Sequence, residues 1–397
     1  MRRSSKRVLI GVVVAATVLA ACGGDDDDAA TGTEEPADQP TEEPPTESTD
    51  PPESTDPPEE SAEPTAEPAG DLAGQSLVVS NWDAYTPETL LPSFTEATGV
   101  EVEMTNHTTN EEIVGKLLQS GGQGYDVAFV SGQFAQQLND AGLLAEIDHS
   151  MIPNMSHLAP EALELEADPG LTFSVPYTWG TTGLCYRADL VAQAPTSWYD
   201  LLEPADDVAG KTTMLQTDRW LLLPAQKALG FSVNTTDEAE LEQVTELLES
   251  AKDTLLAYDD TTFYSRLVSG EASLVEAWDG WCNYAIAENA DTQFVIPEEG
   301  SDLWVDTMVV LGSSENLEAA HAFINHVLEP ANHAQVAELV LYKVPNPDAM
   351  AMLDPALAEQ FPNLTMTPAE LLEGEQLLDL GEDQATYTDI VTEVVSS

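Results

Sequence analysis

The chain has 397 residues, of which 42% are hydrophobic, and it carries 12 lysines and arginines against 72 aspartates and glutamates. The formal net charge is −60 at pH 7, which argues against nucleic acids and anionic lipid surfaces as partners because both repel an acidic protein. A cationic ligand is compatible with this charge, although solubility or a salty habitat explains most of the acidic residues. The length allows two domains.

The N terminus has the features of an export signal. Four basic residues within positions 2–7 precede an apolar run at 8–21, which is typical of a secretory signal peptide and too short to span a membrane comfortably. The sequence LAAC at 19–22 resembles the bacterial lipobox, in which the cysteine becomes the lipidated N terminus. We expect a signal peptide at 1–21 and lipidation at Cys22. An ordinary secretory signal with a chance cysteine is the alternative, and either predicts export.

The next segment is acidic and rich in proline. Residues 23–71 contain no lysine or arginine and almost no large apolar side chain, with near-repeats such as ESTDPPESTDPPEE. Such a segment cannot bury a core and is expected to be disordered. At about 3.1 Å per residue it spans on the order of 150 Å when extended. We predict that 22–72 is a tether that lifts a folded body off a membrane surface.

Beyond the tether, short apolar runs alternate with helix-like segments. The first five segments favour strand, helix, strand, helix and strand, and they are SLVVSNW, PETLLPSFTEATG, VEVEM, EEIVGKLLQSG and YDVAFVS. A second cycle contains KTTML, the helical EAELEQVTELLESAKDTL, ASLVEAW, QFVIPEEGS and LWVDTMVVL, and the helical LEAAHAFINHVLEP follows. This alternation predicts parallel sheets covered by helices, which bind ligands beyond the carboxyl ends of their strands. The extended VPYTWGTTGLCYR at 175–187 is the candidate crossover between two lobes.

Catalytic and cofactor motifs are absent from the sequence. It has no nucleophile elbow, phosphate loop or dinucleotide fingerprint, and the six histidines lack zinc-site spacing. The acidic run at 25–28 lacks the glycine turn and ligand spacing of a calcium loop. The sequence therefore predicts a protein that is not an enzyme and has no metal site or cofactor.

Aromatic residues accompanied by carboxylates recur where predicted strands end. They are Trp82 with Tyr85, Trp278 with Asp279, Trp304 with Asp306, and Tyr342. An alkyl chain that carries ammonium groups requires this mixture, because ring faces cover its methylenes and attract its charge by about 0.5 to 2 kcal/mol per contact. Each buried ammonium also needs a carboxylate partner. Core packing explains any one of these rings, but their recurrence at one edge favours a ligand site.

Several motifs resemble the spermidine/putrescine-binding proteins of bacterial ABC importers. NWDAY, KLLQSGGQGYDV, GLLAEIDHSMIPN, VPYTWGTTGLCY and TSWYDLL carry the resemblance, which covers about residues 77–379. It implies an α/β, two-lobed periplasmic-binding-protein-like fold (type II), with a mostly parallel sheet covered by helices in each lobe and a cleft between the lobes that closes by hinge motion. Lobe 1 would comprise 73–179 and 305–350, and lobe 2 would comprise 180–304 and 351–397.

The resemblance also implies ligand-binding residues. Asp218 matches a carboxylate that holds one terminal amine, and Asp306 matches the acid that pairs with an amine deep in the cleft. The other implied ligand-binding residues are Trp82, Tyr85, Ser131, Trp278, Trp304 and Tyr342, and further candidates are Asp83, Gln133 and Asp279. The sequence departs from the family pattern at Ala84, Gln133, Leu221 and Leu377. The missing carboxylate at Leu221 leaves a terminal ammonium dependent on Asp218, so the identity of the amine stays open.

Cys185 and Cys282 form an even pair in an oxidising compartment, so a disulfide between them and two small buried thiols are both open.

The predicted function is that of a lipid-anchored, extracytoplasmic and monomeric solute-binding protein. It would capture a polyamine or a similar linear cationic amine between its lobes and deliver it to an ABC permease in the membrane. Two alternatives stay open, namely a polyamine-sensing component of a surface receptor and a binder of a different small solute on the same fold.

Overall fold

Two β-sheets and the helices that cover them form the part of the chain that the computed structural model describes, Leu72 and residues 74–396. The predicted signal peptide, the lipidation at Cys22 and the tether lie outside the described residues, apart from Leu72. In chain order the strands are β1 (Ser76–Trp82), β2 (Glu101–His107), β3 (Val127–Ser131), β4 (Val175–Gly180), β5 (Thr182–Arg187), β6 (Thr212–Met214), β7 (Leu255–Tyr258), β8 (Leu274–Trp278), β9 (Thr292–Val295), β10 (Asp302–Val310) and β11 (Glu375–Gln376).

The helices connect the strands and cover the sheets. They are α1 (Leu90–Thr98), α2 (Asn110–Ser120), α3 (Gly132–Asp140), α4 (Tyr199–Leu202), α5 (Asp218–Ala228), α6 (Glu238–Lys252), α7 (Phe263–Ser269), α8 (Asp279–Glu288), α9 (Leu317–Leu328), α10 (Pro330–Val340), α11 (Pro347–Met350), α12 (Pro355–Gln360), α13 (Pro368–Leu371) and α14 (Gln384–Ser396). Short 3₁₀ turns lie at His149–Met151, Pro153–His157, Pro160–Leu163, Pro362–Thr365 and Gly381–Asp383. Among the described residues, no helix is both long and apolar enough to cross a membrane.

The first sheet has the strand order β11-β10-β3-β1-β2, with β4 also paired to β10, and the second has the order β7-β6-β8-β5-β9. Strand β1 is parallel to β2 and β3, and β6 is parallel to β7 and β8. Strand β10 is antiparallel to β3 and β4, and β5 is antiparallel to β8 and β9. The predicted α/β fold is confirmed. The sheets are mixed rather than mostly parallel as predicted, because β4, β5 and β10, where the chain passes between the sheets, are antiparallel to neighbouring strands.

Local sequence features direct the ends of β1 and β2 to one edge of the first sheet. Alternation along β1 buries Leu77 and Val79 completely, as expected for a strand beneath a helical layer. Helix α1 ends at Gly99, whose φ of 76° suits a residue without a Cβ. Helix α2 begins after Thr109, whose hydroxyl accepts the Glu112 N–H at 3.2 Å. The loops after β1 and β2 therefore lie side by side.

Three segments lie together where the chain passes between the sheets. Thr181 alone separates β4 in the first sheet from β5 in the second. The Thr182 N–H donates to the Asp302 carboxylate at 2.8 Å, at the start of β10. The Trp179 N–H donates to the Lys343 carbonyl at 3.1 Å. These hydrogen bonds hold together the segments at which the chain passes between the sheets. The predicted lobe boundaries stay a prediction.

Candidate ligand-binding site

A cavity of about 340 Å³ lies between the two sheets, at the carboxyl ends of β1, β3, β6, β7 and β8. This is the edge at which sheets of this class bind ligands. Side chains from the first sheet and its loops include Trp82, Tyr85, Ser131, Trp304 and Asp306. Those from the second include Thr217, Trp220, Asp260, Thr261, Trp278 and Trp281. Tyr342, which follows α10, completes this part of the wall.

Asp306 presents a carboxylate to the cavity from β10. Its Oδ1 accepts the Ser131 hydroxyl at 2.7 Å, and its Oδ2 accepts the hydroxyls of Tyr85 at 3.0 Å and Thr178 at 3.4 Å. Burial raises the pKa of Asp306 to about 6, and these three donors limit the rise. A carboxylate with a raised pKa gains from a cationic partner, because the opposite charge favours its ionised form.

The loop after β1 holds Tyr85 against this acid. The Tyr177 hydroxyl donates to the Tyr85 carbonyl at 2.6 Å, and the Tyr85 hydroxyl also lies 2.9 Å from that of Thr178. Ala84 adopts a left-handed φ of 56°, a conformation that L-residues rarely take. Ala84 is exposed and does not line the cavity.

The aromatic side chains form two edge-to-face groups. In the first, the ring centroids of Trp82 and Tyr85 are 5.5 Å apart, those of Tyr85 and Tyr342 are 6.3 Å apart, and those of Trp304 and Tyr342 are 4.7 Å apart. In the second, Trp220 and Trp278 are separated by 5.4 Å at 84°. In edge-to-face packing the edge of one ring meets only one face of its neighbour, so the contact holds the rings in place and leaves the opposite faces uncovered by that neighbour. Both walls can therefore present ring faces to a ligand.

Two glycines allow the rings to pack closely. A Cβ at Gly180 would collide with the Trp304 ring, and a Cβ at Gly280 would collide with the Tyr342 ring. Gly180 ends β4, and Gly280 lies in the first turn of α8. The positions of these two rings therefore depend on bare backbone beneath them.

The second sheet contributes a carboxylate at the end of β7. Asp260 accepts the Gln216 N–H at 2.6 Å and the Thr217 hydroxyl at 3.3 Å, and burial raises its pKa. Nearby, the Trp220 indole N–H donates to Asp302 at 2.9 Å, which fixes the orientation of the indole in the wall. Burial raises the pKa of Asp302 to about 6.

The charge of the cavity wall is entirely negative among the described residues. Asp83, Glu111, Asp260 and Asp306 line it, whereas no described lysine, arginine or histidine does. Asp83 and Glu111 are exposed at the rim, and the other two are half-buried. In the part of the chain that the structure describes, no group of three or more histidine, cysteine, aspartate or glutamate side chains is arranged to hold a metal ion.

Most of the side chains predicted from sequence meet in this cavity. Eight of them line it, namely Trp82, Asp83, Tyr85, Ser131, Trp278, Trp304, Asp306 and Tyr342. Three do not. Asp218 accepts the hydroxyl of Thr388 at 2.5 Å and the amide of Gln384 at 3.3 Å, both on α14. Asp279 is buried and ion-paired with Lys343. Gln133 is buried in the first turn of α3.

Sequence reasoning missed several wall residues. They are Thr108, Thr109, Asn110, Glu111, Thr217, Trp220, Asp260, Thr261 and Trp281. The signal for Asp260 was present in the Asp-Asp pair that follows the apolar LLAY, since a carboxylate directly after a strand lies at the ligand-binding edge. The predicted helix ends at Leu255, the first residue of this strand, and no strand is predicted over 256–258, so the sequence pattern did not point to the pair.

The structure joins Cys185 on β5 to Cys282 on α8 in a disulfide, with Cα atoms 5.8 Å apart. The bond ties the second sheet to the helix that follows Trp278.

A separate hollow of about 420 Å³ lies between Trp179 and residues 343–368. Its wall is mainly aliphatic side chains and prolines, the Lys343 ammonium in it is paired with Asp279, and Asp354 is the single carboxylate among the described residues that line it. It therefore suits a cation less well than the cavity between the sheets.

A family profile described as bacterial extracellular solute-binding protein matches residues 89–363, more than half of the chain. The chain is 31% identical over 317 residues to the spermidine/putrescine-binding periplasmic protein of Salmonella typhimurium, covering 79% of this chain and 90% of that protein. The substrate-binding protein of a spermidine/putrescine ABC transporter from Streptococcus pneumoniae has a TM-score of 0.71 at 30% identity, with 81% of this chain and 98% of that chain covered. A lipoprotein of Treponema pallidum has a TM-score of 0.73 at 26% identity, with 81% and 100% covered.

The fold, the cavity and these similarities together define an extracytoplasmic solute-binding protein rather than an enzyme. The chain belongs to the bacterial extracellular solute-binding proteins, and the family predicted from its motifs is confirmed.

Proposed function

We propose that this protein captures a linear cationic amine of the polyamine class, such as putrescine or spermidine, and delivers it to an ABC permease. The observation that carries the proposal is the composition of the cavity wall, in which four carboxylates and two groups of aromatic rings surround a space that no described basic side chain enters. The similar proteins from Salmonella typhimurium and Streptococcus pneumoniae are named for spermidine and putrescine, which supports the same class of ligand.

The energetics of such a site are sufficient for a useful affinity. Micromolar binding corresponds to about −8 kcal/mol. Hydrogen bonds to charged groups contribute about 1.5 to 3 kcal/mol each, and ring contacts with a cation contribute about 0.5 to 2 kcal/mol each. One ammonium paired with Asp306 and ring contacts with Trp304 and Tyr342 together contribute about 2.5 to 7 kcal/mol before the cost of ordering the ligand, so micromolar binding also requires contacts from the rest of the wall.

The proposal extends to anchoring at the membrane. The lipobox-like LAAC at 19–22 and the acidic segment 22–72 support a lipidated Cys22 that tethers the binding domain outside the cell. The similar Treponema pallidum protein is a lipoprotein. Mass spectrometry of the membrane fraction tests this point, since a diacylglyceryl group on Cys22 is expected and an unmodified N terminus would contradict it.

Calorimetric titration tests the ligand class. We expect heat of binding from at least one of putrescine, cadaverine, spermidine, spermine and agmatine, and a loss of about tenfold or more in Asp306→Asn. Glu242→Gln removes the same charge from an exposed position on α6 and is expected to bind as the unmodified protein does. The absence of heat from all five amines would reject the ligand class.

Delivery to a permease has its own test. Deletion of the gene is expected to abolish high-affinity uptake of the labelled amine. Unchanged uptake in the deletion strain would contradict a role in import and leave the binding site to be explained by sensing.

A further inference from the structure

The cavity has one acidic side chain on the wall formed by the second sheet. Among the described residues from that sheet that line the cavity, Asp260 is acidic and the others are threonines and tryptophans. Asp306 is its half-buried counterpart on the first sheet. A ligand with two separated positive charges would therefore meet a carboxylate at each wall.

Asp260 has unused capacity to accept hydrogen bonds. The donors to it, the Gln216 N–H, the Thr217 hydroxyl and the Thr217 N–H, are neutral, and an ionised carboxylate offers about four acceptor positions. The adjacent Asp259 differs, because its carboxylate pairs with Arg266 at 2.7 Å. No ion pair to Asp260 is found among the described residues. Its charge is therefore available to a ligand.

Other acids near Asp260 cannot take this role. Glu276 is fully buried, its Oε2 accepts the Leu215 N–H at 2.9 Å, and burial raises its pKa well above the usual range. Asp302 is fully buried and accepts donors from Thr182, Trp220 and Ser301. Neither acid lines the cavity.

Asp218, the residue that the family resemblance favours for this role, does not line the cavity. The Asp218 carboxylate is bonded to Thr388 and Gln384 on α14 rather than facing the cavity. Leu221, one turn further along α5, is fully buried and apolar. The turn between β7 and α7 therefore supplies the acid that the start of α5 does not.

We infer that Asp260 is the second anchor of the site and pairs with the distal ammonium of a linear diamine whose first ammonium pairs with Asp306. This inference rests on the proposed function. Trp220 and Trp278 lie on the same wall as Asp260, where their faces can cover the methylenes between the two charges. Because the anchors belong to different sheets, a diamine bridges the cavity, whereas a monoamine engages one wall.

The pairing of Asp260 with the distal ammonium is tested by changing the protein and the ligand in combination. Putrescine and butylamine, which differ by one amine, are titrated into the full-length protein and into Asp260→Asn at pH 7.5. The unmodified protein is expected to bind putrescine about 10- to 100-fold more tightly than butylamine. Asp260→Asn is expected to lose most of its putrescine affinity and to discriminate between the two ligands by less than threefold. Asp206→Asn removes the same charge from an exposed position between α4 and β6; it is the matched control and is expected to retain the full preference.

A second variant keeps the carboxylate and tests how affinity depends on the length of the ligand. Asp260→Glu extends the acid by one methylene, so the affinity ratio of putrescine to 1,3-diaminopropane is expected to fall at least threefold. Two results together would overturn the inference while the proposed function stands. They are an unchanged ratio in Asp260→Glu and a putrescine affinity of Asp260→Asn within twofold of that of the unmodified protein. Failure of the unmodified protein to bind any amine would overturn both.

Discussion

The Tyr85 hydroxyl donates a hydrogen bond to Oδ2 of Asp306 across 3.0 Å, which links the loop after β1 to β10. Tyr85 also forms part of the aromatic wall, so a single side chain both positions the acid and contacts the space beside it. This contact makes the charge of Asp306 dependent on its neighbours.

Replacing Tyr85 by phenylalanine tests this dependence. Loss of a donor to the carboxylate is expected to raise the pKa of Asp306 above 6 and to weaken amine binding about three- to tenfold at pH 7. Amine affinity is measured as a function of pH. The midpoint pH of the loss of affinity in acid is expected to be higher in Tyr85→Phe than in the unmodified protein. Tyr186→Phe removes a hydroxyl that contacts Gln293 at 2.7 Å and serves as the control. An unmoved midpoint in Tyr85→Phe would count against the proposed coupling.

The affinity of the unmodified protein should fall in acid. Burial raises the pKa of Asp306 to about 6, so the acid is mainly ionised at pH 7 and mainly protonated at pH 5. A neutral acid cannot pair with an ammonium, and we expect affinity to fall about tenfold between these values, with proton release on binding near pH 6. Calorimetry in buffers of different ionisation enthalpy measures both quantities. Affinity that is level or increases toward pH 5 would contradict the assignment.

Gly280 is predicted to be essential for the aromatic wall. A methyl group at Gly280 collides with the Tyr342 ring, so Gly280→Ala is expected to reduce amine affinity about tenfold or more through displacement of that ring. Gly115→Ala on α2 is the matched control, because nothing lies within 4 Å of its added carbon. That variant should retain affinity and gain about 0.5 to 1 kcal/mol of unfolding free energy. Equal affinities in the two variants would refute the role of close packing.

The ion pair between Lys343 and Asp279 is buried, with 3% and 1% of the two side chains exposed. Burial raises the pKa of Asp279, and the Lys343 ammonium lowers it in part. Lys343→Met should reduce the free energy of unfolding by about 3 to 5 kcal/mol, because it leaves a buried acid without its partner. Urea unfolding of both single variants and of Lys343→Met with Asp279→Asn measures the coupling. Strict additivity would show that the pair is not coupled.

The sequence predicted the first-sheet half of the site well. Trp82 ends the apolar strand β1 and Tyr85 follows it, and the carboxyl ends of parallel strands meet at one edge. Trp304 and Asp306 are two residues apart on β10, so a strand assignment alone puts them on one face. These inferences needed only local patterns and one topological rule.

The second-sheet half could not be read in the same way. Strand β7 has four residues and begins at Leu255, three residues after the end of the long helix α6, and a run this short gives too little pattern to predict a strand, so Asp260 was missed. The direction of the Asp218 side chain is set by Thr388 on α14, which is 170 positions away. Neither local propensity nor periodicity carries information about such a contact.

The central claim is that positive charge at both ends of a short chain drives binding. Calorimetric comparison of putrescine with the neutral 1,4-butanediol at pH 7.5 tests it most directly, since the two ligands share a four-carbon chain and differ in charge. We predict micromolar binding of putrescine that weakens as salt is added, with the diol bound at least a hundredfold more weakly. Diol affinity within threefold of that for putrescine would contradict the account.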